Sequence, residues 1–131
     1  MSALDIPGPT TAQERLAWSG LGDAPALPVN VSSNGRSNFI VVKSGPGTIY
    51  GASIYSNKAS AQFILLFDAA TLPAEGTIPA AVFTVAATGN LGLYWGSVGR
   101  SFSQGLVLCN SSTDNSKTIA LADCWFDAQF I

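Results

Sequence analysis

The sequence predicts an all-β protein: an antiparallel β-sandwich, jelly-roll-like or immunoglobulin-like in connectivity, with an extended N-terminal arm. Three observations carry this. From about residue 38 onward, some seven short runs rich in β-branched and aromatic residues recur with turn signals between them. The last run divides by parity into an apolar and a polar face, as a strand between a core and its surroundings does. Residues 1 to about 36 differ in texture, with Pro7, Pro9, Pro25 and Pro28 punctuating a polar, alanine-rich segment without strand alternation.

At 131 residues the chain is one ordinary domain, long enough to bury about two thirds of the surface its unfolded form exposes. It divides into an arm, 1–36, and a sandwich domain, 37–131. Within the arm, Thr11-Ala12-Gln13-Glu14 has capping-box spacing, so a short helix is expected over 11–19, ended by Gly20 and Gly22. So short a helix is unstable alone, and Leu16 and Trp18 need a surface to dock on, either the parent domain or a neighbouring subunit.

Phe39 to Lys43 reads as the first strand, separated from the next by Ser44-Gly45-Pro46-Gly47. Gly47 to Phe67 reads as the central hairpin: Thr48, Ile49, Tyr50, Ile54 and Tyr55 suit a pleated surface, Ser56-Asn57-Lys58 breaks the run, and Ala61 to Phe67 resumes it. In that second run both faces are apolar, Phe63, Leu65 and Phe67 on one and Ile64 and Leu66 on the other. Such a strand is covered twice, by the opposing sheet and by a loop, the arm or a partner chain. Leu72 to Pro79 is a connection, since its prolines and glycine forbid helix or central strand. Ala80 to Val85 is the next strand, and Asn90 to Ser97 a short strand or wide loop. Gly99-Arg100-Ser101 reads as a turn, Gly105 to Cys109 as a strand, and Asn110 to Lys117 as a polar loop. In the final run, Ala122, Cys124, Phe126, Ala128 and Phe130 form an apolar face, while Trp125 falls on the other with Asp123 and Asp127. If the last loop is a hairpin about Asp114, Cys109 and Cys124 lie ~17 Å apart against the ~7 Å that a disulfide tolerates, which predicts free, buried thiols.

Composition narrows the function. Hydrophobic residues make up 47% of the chain and charged ones 11%, less than half the ~25% usual in globular domains. Few charges imply a surface meant to sit against other protein, or one solvated mainly by Ser, Thr, Asn and Gln. Six scattered cations and a net charge of −2 offer no basic stripe for nucleic acid. No window approaches the ~20 apolar residues of a membrane span, and Met1 to Thr11 has no charged-then-apolar leader pattern, so the product is expected to be made and kept in a cytosol, or to leave it by a route other than such a signal. The chain has no histidine, which removes serine triads, cysteine–histidine dyads and histidine-held metals. Asp123 and Asp127 would share a face ~13 Å apart, beyond the ~5 to 9.5 Å used in glycoside hydrolysis. Asp68 and Asp114 sit at strand ends, where aspartate commonly organises turns. The expectation is no enzyme, no catalytic residue, no cofactor and no metal. What is left is aromatic: Trp95 reads as core, and Trp125 as an interface residue together with Leu16, Trp18, Ile64 and Leu66.

Ile49-Tyr50-Gly51, Ala59-Ser60-Ala61-Gln62, Leu66-Phe67-Asp68-Ala69-Ala70 with Pro73, Gly76 and Pro79, Gly99-Arg100-Ser101-Phe102 with Gly105-Leu106-Val107, and Asp123 to Phe130 together form a pattern. It resembles small virion proteins of tailed bacteriophages, particularly capsid decoration or cement proteins. The resemblance covers about residues 38 to 130 and excludes the arm. It implies a compact β-sandwich on the outer capsid surface that bridges major capsid protein subunits, associates with copies of itself as a homo-oligomer, and binds neither nucleic acid nor membrane. The alternatives are a carbohydrate-binding tail or fibre module that recognises the host surface, and a host-encoded structural or adhesin subunit.

Overall fold

The computed structural model describes residues 27–131, which form nine antiparallel strands and contain no helix, hence none long and apolar enough to cross a membrane. In chain order the strands are β1 (Val29–Ser37), β2 (Phe39–Lys43), β3 (Gly47–Ser56), β4 (Gln62–Phe67), β5 (Ala81–Val85), β6 (Asn90–Tyr94), β7 (Arg100–Phe102), β8 (Leu106–Ser111) and β9 (Cys124–Phe130). One sheet runs β1-β9-β3-β6, with β7 also on β3, and the other runs β2-β8-β4-β5. Leaving β7 aside, the outermost strands pair with each other and so do the innermost: β1 with β9, β2 with β8, β3 with β6, β4 with β5. Successive pairs alternate between the two layers. That is jelly-roll connectivity, and it decides a choice the sequence leaves open.

The two layers close on a core that includes Ile40, Val42, Ile49, Ile54, Ile64, Leu66, Leu106, Leu108 and Phe126. This explains the first correction to the sequence reading. β3 and β4 are not a hairpin; they belong to different sheets, and residues 57–61 arch from one to the other. A hairpin would set both apolar faces side by side in one layer, whereas the arch turns Ile49 and Ile54 toward Ile64 and Leu66 across the core. The crossing is held by Asn57 N–H to the Asp123 carbonyl (2.8 Å) and by Thr88 N–H to that of Lys58 (2.9 Å).

Residues 29–36, read from the sequence as the end of the arm, lie in β1, paired with β9 from Val29↔Phe130 to Ser37↔Cys124. The strand carries no alternation because its register shifts between Ser32 and Arg36, where Asn34 takes φ 53° and Gly35 φ 151°. At this bulge the Phe126 N–H donates to Ser33 Oγ (3.0 Å), so a hydroxyl occupies a place where an apolar residue would have signalled a strand. The expected helix at 11–19 lies outside the described residues.

Two further expectations give way. Arg100 and Ser101 belong to strand β7, and the turn falls earlier, at Gly96 to Val98. The last loop is no hairpin: β8 makes one bridge, Ser111↔Ile119, and the chain then crosses to β9 in the other sheet. Cys109 and Cys124 are buried free thiols on different sheets.

The outer face of the second sheet is also apolar, with Leu65, Phe67, Val107 and Cys109 buried beside Phe39, Val41 and Phe63. Among the described residues the chain's own loop covers this face of β4, since Ala69 and Leu72 pack on the cluster. That loop is fastened to the β8–β9 loop. Lys117 N–H donates to the Thr77 carbonyl and Gly76 N–H to that of Lys117, both at 2.8 Å, and the Lys117 ammonium pairs with Glu75. Behind it the Asp68 carboxylate accepts hydrogen bonds from Ser103 N and Oγ, Gln104 N and Gly105 N, between 2.8 and 3.2 Å, so it clamps the distant loop before β8 rather than a turn of its own backbone.

Candidate functional site

The outer face of the first sheet faces away from the core, and strand register lays its side chains out in rows. Arg36, Trp125, Tyr55 and Asn90 form one row across β1, β9, β3 and β6; Ser32, Asp127, Ser53 and Gly92 form the next; Asn30, Gln129, Gly51 and Tyr94 the third. Trp125 is 45% exposed, Tyr55 37% and Tyr94 83%. The row between the two aromatic ones includes Gly92, where an added Cβ would meet open space, and in the Tyr94 row Gln129 Oε1 lies 3.0 Å from a Cβ added at Gly51. The indole is oriented rather than loose, because Trp125 Nε1 donates to Ser32 Oγ at 3.2 Å and the same oxygen accepts from Asn34 N–H at 3.0 Å. The bulge that hid β1 from the sequence thus positions the tryptophan's partner.

Chemically the face offers aromatic area with amide, hydroxyl and carboxylate groups around it. It suits burial against a flat partner, where an oriented tryptophan with its N–H already satisfied contributes most, or stacking on a ring. Among the described residues no three side chains of Cys, Asp and Glu come together as a metal would need.

A second feature lies at the end of the sandwich formed by the arch and the β8–β9 loop. A cavity of about 340 Å³ is lined by Lys58, Ser112, Ile119, Ala120, Leu121 and Asp123, with Ile119 and Leu121 strongly exposed. Beneath it Asn110 Nδ2 donates to Gln62 Oε1 (3.0 Å) and to the Leu121 carbonyl (2.9 Å), and Gln62 Nε2 donates to Ser56 Oγ (2.8 Å). This buried polar cluster fixes the loop that presents Leu121.

Of the residues singled out from sequence, Trp125 lies on the aromatic face, flanked along β9 by Asp127. Ile64 and Leu66 are fully buried between the sheets, so they are core and not contact residues; the surface that covers them is the opposing layer. Leu16 and Trp18 lie outside the described residues. Trp95 is half-buried against the core with its ring edge-on to Phe83, centroids 6.2 Å apart, in keeping with the core reading. Tyr55 was not singled out as a site residue, and only the pairing of β3 with β9 places it beside Trp125. Parity along β3 puts Tyr55 on the face with Ser53, but parity cannot name the neighbouring strand. Searches against known protein families, curated proteins and solved structures find no match to this chain.

Proposed function

We propose that this is a non-enzymatic structural protein of a tailed-bacteriophage virion, a capsid decoration or cement protein that binds the outer capsid surface and bridges major capsid protein subunits. The observation that carries the reading is the aromatic face of Trp125, Tyr55 and Tyr94, held open to contact in a chain with only 11% charged residues. The sequence pattern resembling cement proteins supports it, as does a jelly-roll body that commits its polar side chains to structure: Asp68, Glu75, Gln62 and Asn110 each serve a loop or a strand end.

A second reading is favoured by the composition of the same face. Tyr55, Trp125 and Tyr94 surround Ser53, Asp127 and Gln129, a combination able to stack on a sugar ring and hydrogen-bond its hydroxyls, as a carbohydrate-binding tail or fibre module would.

One experiment separates them. The full chain and its Trp125→Ala variant are added to expanded heads of the encoding phage and, separately, to host surface polysaccharide with tryptophan fluorescence as the readout. Cementing predicts saturable head binding that weakens about tenfold or more in the variant, with no glycan response and an unchanged circular dichroism spectrum. A fluorescence shift with polysaccharide and no binding to heads selects the glycan reading and ends the first.

A further inference from the structure

Among the described residues the first sheet ends in β1 on one side and in β6 and β7, which lie end to end on β3, on the other, and the second sheet ends in β2 and β5. An edge strand exposes unpaired backbone N–H and C=O groups, and proteins that keep such edges single guard them with charges or bulges. On one side of this sandwich both guards are present. β1 carries Arg36 and a register shift between Ser32 and Arg36; β2 ends in Lys43 with a shift between Val41 and Lys43. On the other side β5 and β6 have neither, and the only charge on that side's edge strands is Arg100, at the start of β7. β5 pairs with β4, and β6 with β3, in unbroken register, and Gly76 to Gly99, which contains both strands, has no charged residue at all. This same segment exposes Ile78, Val82, Tyr94 and Val98. Arg100, the first charge after it, is turned onto the Ala80 carbonyl (3.4 Å) and the Phe102 ring.

We infer that β5 is a self-association edge, at which two copies of this chain pair antiparallel across a two-fold axis and join their β2-β8-β4-β5 sheets into one. The occupant of a strand edge is another strand, because only a strand satisfies its repeating donors and acceptors. A second copy meets the requirement without any foreign sequence: under a two-fold axis a strand is its own antiparallel partner, and Ala81–Val85, being neutral, faces itself without like-charge repulsion. The axis runs through both layers and therefore brings β6 toward its counterpart as well, which accounts for β5 and β6 both being unguarded. The inference stands on topology alone and holds whether the aromatic face binds capsid or sugar.

Val82 and Thr84 point outward from β5 and are exposed, so lysine at both leaves the core untouched while facing lysines across the axis. The full-length protein is expected to sediment as a dimer at micromolar concentration. Val82→Lys with Thr84→Lys should weaken dimerisation about tenfold, Val82→Glu with Thr84→Glu should do the same, and an equimolar mixture of the two variants should recover the dimer. Recovery on mixing would not follow from a folding defect. A monomeric wild-type chain, or an oligomer indifferent to the paired lysines, overturns the inference; the first result is also what a β5 edge covered by the N-terminal residues or reserved for a different protein would give.

Discussion

Gly105 has no space for a side chain: a Cβ there falls 2.3 Å from the Ala69 carbonyl oxygen and 2.8 Å from the Ala70 Cα, both backbone atoms unable to give way. Its amide meanwhile donates to Asp68, whose carboxyl is held below its ordinary value of 3.8 chiefly by the Gln104 amide. Gly105→Ala should therefore part the Asp68 loop from β8 and cost about 1 to 3 kcal/mol, read as a lower melting temperature. Gly92→Ala on the aromatic face, where an added Cβ meets nothing, is the matched control and should change stability little. The two thiols are inert at this scale: burial pushes Cys109 up to about 12 and Cys124 up to about 11, far from reactive thiolate.

Among elements, the fastened pair of loops over the second sheet has a pH signature. The Lys117 ammonium, followed by the Ile119 N–H, holds Glu75 below its ordinary value of 4.5. A carboxyl depressed in the folded state binds fewer protons there than in the unfolded one, so its contribution is present above pH 4.5 and is lost as pH falls through the folded value. Acidification should loosen the cover over Leu65 and Phe67 before the core opens, visible as reduced amide protection factors at Ile119 and Gly76, measured against the intrinsic exchange rate at each pH. Glu75→Gln should show that loss of protection already at neutral pH. Strand positions were largely legible: Phe39–Lys43 was read from its own run, and the inward face of β9 from parity. Partners were not. β3 and β4 are adjacent in sequence and each looks like half of a hairpin, yet whether a polar break turns back or arches over depends on which strands, tens of residues away, claim the two edges. The same gap turned Ile64 and Leu66 from core into expected surface, and kept Tyr55 apart from Trp125.

The whole molecule is built from distant pairs. β1 lies against β9, with Val29 opposite Phe130 about a hundred residues on, so loop closure has to be completed before the outer pairing stabilises anything, and folding should be slow for a chain of this size. The unguarded β5 and β6 stay exposed throughout that interval, so association of folded copies and misassembly of unfolded ones draw on the same neutral segment. At the far end, Ile131 exchanges hydrogen bonds with Thr48, its N–H at 2.9 Å and its carbonyl at 3.1 Å, beside the start of β1. The described chain thus nearly closes into a ring. A circular permutant that splices Ile131 to Leu27 through a short glycine–serine linker and opens between Asp114 and Asn115 would make β9 and β1 a local hairpin. It should refold faster than the natural order in stopped-flow measurements and reach the same two-sheet end state. An unchanged rate would mean that closure of this outermost pair comes after the slow step.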